Sequence, residues 1–426
     1  MSTQTMGVGT AAEHRPGSER GTGGKWLWLT VAASMFAAAW GGNEFTPLLV
    51  MYRLDHGYSP VMVDFFLFTY VVGIVPALLL GGPLSDRLGR RPIMLPAPII
   101  AIAGSTLLAF GADSAAALIL GRILCGIALG IGMAVGGSWV KELSTQPWDS
   151  TASEGAGARR AAMSLTAGFA LGAGAAGILA QWAPMPSVLA YVLHIAITVL
   201  AAVALWRAPE TRPAQAKSDR RRLIDDLKIP SAGHRRFLYV VVPLAPWVFG
   251  AASVAYAVIP ALMTGHSGDA PVAFSALLCM VALTCGFAIQ SLGRKIDTDR
   301  SARGAVVALV FLVVGMAGAA LVASTLTVAI AIVAAAILGC GYGMALVSGL
   351  LEIQRIAGPD DLAGLTAVFY SITYIGFAVP ALLAMLSESI PALTYTATLL
   401  FGAAVALACL VLILFKSRSH LPRVSE

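Results

Sequence analysis

Gly82-Pro83-Leu84-Ser85-Asp86-Arg87-Leu88-Gly89-Arg90-Arg91 closes one apolar stretch of this chain, and Gly286-Phe287-Ala288-Ile289-Gln290-Ser291-Leu292-Gly293-Arg294-Lys295 closes another. Both end in Leu-Gly-Arg plus a second basic residue, and each follows the second apolar stretch of a group of six. The fourth stretch of each group repeats a pattern too, Gly130-Ile131-Gly132-Met133-Ala134 against Gly341-Tyr342-Gly343-Met344-Ala345. Such self-similarity marks an internal repeat. The chain therefore reads as two copies of one unit, joined by a long basic loop at 207–236.

Composition says what surrounds these units. Of 426 residues, 58% are hydrophobic and 12% charged, and the mean hydropathy is +0.81. A soluble domain carries roughly 25% charged residues, so too few are present here to cover a water-facing surface, and the outside must face lipid. About 20 predominantly apolar residues cross the hydrocarbon core as a helix. That criterion predicts twelve spans, near 26–51, 61–82, 93–111, 115–140, 159–182, 187–206, 237–262, 271–292, 304–322, 325–350, 362–386 and 391–415. The runs are continuous rather than alternating, which favours helices over barrel strands. Trp26 to Ala39 has the look of a signal-peptide core, but the apolar run continues past Ala39 and a long polar stretch precedes it.

Charge placement sets the orientation. With both termini in the cytoplasm, Arg87, Arg90, Arg91, Lys141, Arg159, Arg160, Arg294, Lys295, Arg300, Arg303 and Arg355 fall in inner loops. The 207–236 loop adds Arg207, Arg212, Lys217, Arg220, Arg221, Arg222, Lys228, Arg235 and Arg236, while the opposite side receives Arg53 alone. This is the positive-inside pattern, and it accounts for the net charge of +6 without nucleic acid. The expected organisation is all-α: a disordered cytoplasmic segment 1–25, a six-helix bundle 26–206, a cytoplasmic linker 207–236, a second bundle 237–416 and a tail 417–426.

Gly82-x-Leu84-x-Asp86-Arg87-x-Gly89-Arg90-Arg91-Pro92 resembles the loop 2–3 signature of the major facilitator superfamily. Arg122, with Gly126, Gly130 and Gly132 behind it, resembles the fourth-span motif of proton-coupled members, with Cys125 where Gln is frequent. Pro209-Glu210-Thr211 resembles an element found after the sixth span. The resemblance covers about 26–416 and implies two bundles rocking around a central cavity, lined mainly by spans 1, 4, 7 and 10. It makes Gly82, Asp86, Arg87, Gly89, Arg90, Arg91 and Glu142 gating residues, with the arginines pairing to Glu142 and Asp86 facing the start of the eleventh helix. The plainer reading of that patch is a stop-transfer signal.

Ionisable groups inside apolar spans cost about 2.5–3.5 kcal/mol each on insertion scales and default to functional hypotheses. Glu44, Arg122 and His194 stand inside, with Asp64 near an outer end. Glu44 and Arg122 both lie about 10 Å below the outer surface, at 1.5 Å per residue. They are expected to meet as a proton-coupling pair, Glu44 holding the proton and Arg122 favouring its release. A fixed ion pair tying two helices is the competing reading. His194 reads as a packing residue and Asp64 as an interfacial helix start. Gly172-Ala173-Gly174-Ala175-Ala176-Gly177 has the spacing of a dinucleotide fingerprint, but it lies within a span, where small residues serve helix packing. It weakly resembles the fifth-span motif of drug–proton antiporters, with Ala173 where proline is usual.

For the substrate, Trp40, Asn43, Glu44 and Arg122 are candidates from the first half, and Trp247, Tyr256, Tyr342, Tyr370 and Tyr374 from the second. Asn43 is the only asparagine, so the convergent amides that a sugar needs are missing; aromatic walls suit an apolar or aromatic compound. The leading expectation is a secondary active transporter exporting small hydrophobic or amphipathic compounds by proton antiport. A proton-linked importer of an organic acid, its carboxylate on Arg122, is the alternative. The six scattered histidines and five cysteines build no metal site, so no cofactor beyond the proton gradient and no enzymatic activity is expected. The protein is expected to act as a monomer in a bacterial cell membrane.

Overall fold

The computed structural model describes residues 24–212, 229–358, 361–390, 392–419 and 421. Residues 1–23, most of the linker (including Lys217, Arg220, Arg221, Arg222 and Lys228) and most of the tail lie outside the described residues.

Among the described residues, eleven helices are long and apolar enough to cross a membrane: α3 (Pro60–Leu88), α4 (Arg90–Phe110), α5 (Ala115–Leu143), α6 (Ala156–Trp182), α7 (Leu189–Trp206), α8 (Phe237–Met263), α9 (Pro271–Ile296), α10 (Arg303–Thr325), α11 (Val328–Ile356), α12 (Leu362–Ser389) and α13 (Tyr395–Lys416). Side chains start several of them. Ser59, Ser114 and Thr394 accept from the backbone N–H three residues on, at 3.3, 3.4 and 3.2 Å, satisfying donors that lipid would leave orphaned.

The stretch expected as the first span falls into two pieces, α1 (Trp28–Asn43) and α2 (Phe45–Leu54). Pro47 explains the break: it has no N–H, so the Asn43 carbonyl has no partner four residues on. Glu44 at the joint keeps right-handed helical dihedrals, φ −60° and ψ −29°, and its N–H bonds the Trp40 carbonyl at 2.9 Å.

Packing repeats between the halves. In the first, α5 packs on α3 and α4, and α4 also on α7; in the second, α11 packs on α9 and α10, and α10 also on α13. Glycines bring the repeated pairs together. A Cβ at Gly126 would lie 2.2 Å from the Tyr70 carbonyl oxygen, and one at Gly343 would lie 1.9 Å from that of Gly286. The backbones of α3 and α5, and of α9 and α11, are thus in contact. Across the molecule α3 lies on α12 and α6 on α9, with α2 also against α9. The second span of each group therefore meets the fifth of the other, the exchange expected of a pseudo-two-fold repeat.

The glycine run in α6 serves this architecture on two faces. A Cβ at Gly172 would strike the Trp40 backbone on α1, whereas one at Gly177 would fall 2.2 Å from Ala276 Cβ on α9.

Candidate functional site

Where the halves meet, side chains enclose a cavity. α1 and α2 contribute Gly42, Asn43 and Thr46; α3 gives Leu67 and Tyr70, α5 Arg122 and α6 Phe169. The second half supplies Phe249, Tyr256, Leu283, Tyr342, Tyr374 and Phe377. Its free room of about 20 Å³ is on the scale of a single water, so the walls are drawn together. Phe249 is the hub of the aromatic side. It stacks on Tyr374 at 4.4 Å and on Phe377 at 5.0 Å, and Tyr70 from the other half meets both edge-on at 6.0 and 6.1 Å.

Arg122 is the polar corner. Its guanidinium lies over the rings of Phe45 and Tyr70, at 4.7 and 4.6 Å. It donates to the carbonyls of Gly42 at 3.2 Å and, weakly, Phe66 at 3.4 Å. Ring faces and carbonyl dipoles compensate part of the cost of a buried cation. Asn43 beside it donates to the Phe169 carbonyl at 3.0 Å and approaches Cys279 Sγ, on the other half, at 3.4 Å; its Oδ1 accepts from Thr46 at 2.8 Å.

The expected ion pair between Glu44 and Arg122 is absent from the described contacts, and this corrects the sequence reading. Successive helical residues point 100° apart, so a chain that turns Asn43 to the cavity turns Glu44 away from it. Glu44 is fully buried on the side of α4 and α7. Its Oε1 accepts from Ser105 Oγ at 3.2 Å and lies 3.4 Å from His194 Nδ1. Its Oε2 has no hydrogen-bond partner. His194 is likewise fully buried and held on both nitrogens: Nδ1 is 2.7 Å from Ser105 Oγ, and Nε2 is 3.0 Å from both the Ala37 carbonyl and Thr198 Oγ1.

Other expected residues sort by position. Asn43, Arg122, Tyr256, Tyr342 and Tyr374 line the cavity; Trp40, Glu44, Trp247 and Tyr370 do not. Trp40 packs on Gly172 of α6, Trp247 against the second-half core, and Tyr370 beside Phe369 at 5.8 Å. Asp64, in the first turns of α3, is buried and pairs with Arg53 at 2.6 Å. The cavity gains Tyr70, Phe169 and Phe377, which the sequence reading passed over. Tyr70 sits one helical contact from Gly126, a signal that the glycine pattern carried.

At the basic end, Arg90 donates to Glu142 at 2.6 and 3.2 Å, to Asp86 at 2.8 Å and to Ser85 at 2.6 Å. Asp86 also pairs with Arg212, at the start of the linker, at 3.3 Å. Arg91 donates through its side chain to the Trp206 carbonyl at 3.1 Å. Glu210 takes a role that the sequence did not disclose. Its two oxygens accept the N–H groups of Arg90 and Arg91, each at 2.9 Å, and cap α4. Gly89 leaves room for it: φ is +97°, and a Cβ there would fall 2.7 Å from Glu210 Oε2. Gly82 faces open space. The second half carries its own cluster, with Arg236 on both oxygens of Glu352 at 2.5 and 2.7 Å, and Arg355 on Glu352, Asp297 and Asp299.

The polar contacts described between halves lie elsewhere. Gln181 at the end of α6 accepts from Val272 and Ala273 at the start of α9, at 3.0 and 3.2 Å, and donates to the Asp269 carbonyl at 3.2 Å. Tyr374 approaches Met133 Sδ at 3.4 Å.

Comparison with known proteins agrees with this architecture. The profile of the Major Facilitator Superfamily matches residues 27–381. A chloramphenicol resistance protein of Pseudomonas aeruginosa is 28% identical over 261 residues, 61% of this chain and 59% of that protein. Among solved structures, a POT family transporter in complex with 5-aminolevulinic acid superposes with a TM-score of 0.74 at 14% identity, covering 93% of this chain and 96% of that one. The nucleoside transporter NupG superposes with a TM-score of 0.68 at 11% identity, covering 91% and 98%; at such identities the likeness is one of fold. The chain belongs to the major facilitator superfamily and is a multi-pass membrane transporter.

Proposed function

We propose that this member of the superfamily is a proton-coupled exporter of small hydrophobic or amphipathic compounds, working by alternating access. The observation that carries the reading is the cavity between the halves: an aromatic wall centred on Phe249 faces one polar corner made by Asn43, Thr46 and Arg122. Such a site binds a flat apolar body by ring contacts and orients it by a few hydrogen bonds. The outward direction draws on the similarity to the chloramphenicol resistance protein. With α1 and α2 read as one broken helix the spans number twelve, an even count, and on this reading both termini share the side of the basic loops, the cytoplasm by the positive-inside rule.

Proton coupling rests on Glu44, a carboxyl buried at the joint of the broken helix with one oxygen unpartnered. A second reading has its own observation. Arg122 faces the cavity with no described carboxylate partner, and an organic acid fits that corner as countercharge.

Everted vesicles energised by respiration separate the two. Chloramphenicol and tetraphenylphosphonium are expected to collapse the proton gradient in the wild type and to leave it intact in Glu44→Gln. A response to benzoate alone selects the organic-acid carrier. Equal responses in both proteins remove Glu44 from coupling.

A further inference from the structure

Behind the cavity three side chains from three helices close on one another: Glu44 at the α1–α2 joint, Ser105 on α4 and His194 on α7. Ser105 Oγ lies 2.7 Å from His194 Nδ1 and 3.2 Å from Glu44 Oε1. The Ala37 carbonyl, 3.0 Å from Nε2, can only accept, and Thr198 Oγ1 at the same distance can accept as well, so Nε2 carries a hydrogen in either protonation state of the ring. Nδ1 is then the nitrogen that gains or loses a proton, and it faces Ser105. A serine hydroxyl has one hydrogen and can donate to one neighbour at a time. The donor pattern therefore has to run from Glu44 to His194 or from His194 to Glu44.

We infer that Glu44, Ser105 and His194 act as one proton-holding relay, sharing a single proton between carboxyl and imidazole through the Ser105 hydroxyl. In one form the Glu44 O–H donates to Ser105 Oγ, and the Ser105 O–H donates to the bare Nδ1. In the other, the Glu44 proton has moved to the serine oxygen and the serine proton to Nδ1. Glu44 is then a carboxylate accepting from Ser105, and His194 is an imidazolium donating to it. Serine holds one proton throughout, and nothing leaves the group.

The surroundings fit a group of this kind. Gly41 is part of the construction, because a Cβ there would lie 2.5 Å from His194 Cε1; the ring is pressed against the bare backbone of α1. The Trp40 indole on α1 is a further neighbour of Glu44, and Arg122 and Cys125 from α5, Tyr52 from α2 and Tyr191 from α7 interact with it electrostatically. The tyrosine hydroxyls bond each other at 2.9 Å. Arg122 is the one permanently charged residue among them.

Use of the relay in transport rests on the proton-coupled reading; its existence does not, so the test separates them. The purified full chain in nanodiscs is titrated by infrared difference spectroscopy, following the carbonyl band of the protonated carboxyl that Glu44→Gln removes. His194→Gln keeps an amide able to accept from Ser105, and Ser105→Ala keeps the volume. Two equally populated sites double the proton affinity of either alone. With the proton shared equally, His194→Gln is therefore expected to lower the proton affinity read at the midpoint by about twofold, Ser105→Ala to move it in the same direction, and the double variant to move it no further than His194→Gln alone. An unmoved midpoint, additive shifts, or a wild type with no Glu44-dependent band at any pH overturns the relay. The same purified protein is also reconstituted into sealed proteoliposomes, with chloramphenicol and tetraphenylphosphonium as transport probes. A wild type that moves no proton with either, yet shows the linked midpoints, loses the exporter reading and keeps the relay.

Discussion

Gly177→Ala adds one methyl group at the contact between the halves, and the structure sizes its effect. The new Cβ would lie 2.2 Å from Ala276 Cβ, while ordinary contact begins near 3.4 Å. Ala276 Cβ is fixed to the backbone of α9, so it cannot swing aside, and the helices must part there by about 1.2 Å. Four residues on, the Gln181 bonds to Val272 and Ala273 stand at 3.0 and 3.2 Å; the same parting takes them out of hydrogen-bond range. Overpacking of this kind costs about 1–3 kcal/mol, charged against the closed arrangement alone. The opened population should rise by about 5- to 150-fold. A cysteine at Thr46, which lines the cavity, reports this in a background without the five native cysteines. Its modification by a membrane-impermeant maleimide applied on the Gln181 side should accelerate by that factor. Gly174→Ala is the control: its Cβ would meet Met280 Sδ at 2.7 Å, the far end of a side chain that can move. An unchanged rate in folded Gly177→Ala, or equal acceleration in the control, refutes the reasoning.

Three further outcomes follow from the same geometry. Gly89→Ala places a side chain at φ +97° against Glu210 and should cost about 1–3 kcal/mol, read as a lower melting temperature in detergent. Phe249→Ala removes the ring at the centre of the aromatic wall; on the proposed reading the substrate loses one ring contact of about 0.5–1.5 kcal/mol, so the apparent KM for chloramphenicol should rise several-fold with the fold intact. In the loop after α5, the Thr151 hydroxyl and the Arg160 guanidinium hold the Asp149 carboxyl below its usual range. A depressed carboxylate stabilises the folded state above its ordinary pKa, and the gain is lost as pH falls through the depressed value. Asp149→Asn should therefore melt lower than wild type at neutral pH, with the gap closing on acidification.

The sequence made the architecture readable because each of its signals is local. Span length, loop charge and the glycine spacing at 126–132 and 341–343 need no knowledge of partners, and the paired helices sit where those glycines let backbones touch. Side-chain direction is a different matter. Glu44 and Arg122 share a depth, as counted from their span ends, yet depth says nothing about azimuth. Glu44 points backwards because Ser105 and His194 receive it, residues 61 and 150 positions away in the chain. The same holds for Glu210, whose cap on α4 forms only when α7 returns beside α4. Tyr70, Phe169 and Phe377 were missed for a related reason, since aromatic residues fill many spans and only packing selects those that face inward.

Arg122 and Glu44 do not touch, but one short piece of backbone lies between them. Arg122 holds the Gly42 carbonyl at 3.2 Å, and Glu44 is two residues further along, at the joint where Pro47 has removed a helical hydrogen bond. A helix weakened at that point can bend there at lower cost than an intact one. On the proposed reading, a substrate that draws the Arg122 guanidinium into the cavity pulls on Gly42 and so on the joint that positions the Glu44 carboxyl against Ser105. Substrate and proton would then compete through the geometry of one broken helix rather than for one side chain. That arrangement distinguishes itself from direct competition. Replacing Pro47 by Ala restores the missing N–H and stiffens the joint without touching the cavity's polar corner. Coupling through the joint predicts that Pro47→Ala keeps substrate binding while weakening the dependence of that binding on pH; direct competition at Arg122 predicts that the pH dependence is unchanged. Substrate-induced tryptophan quenching across a pH series, with chloramphenicol as the probe, reads the difference.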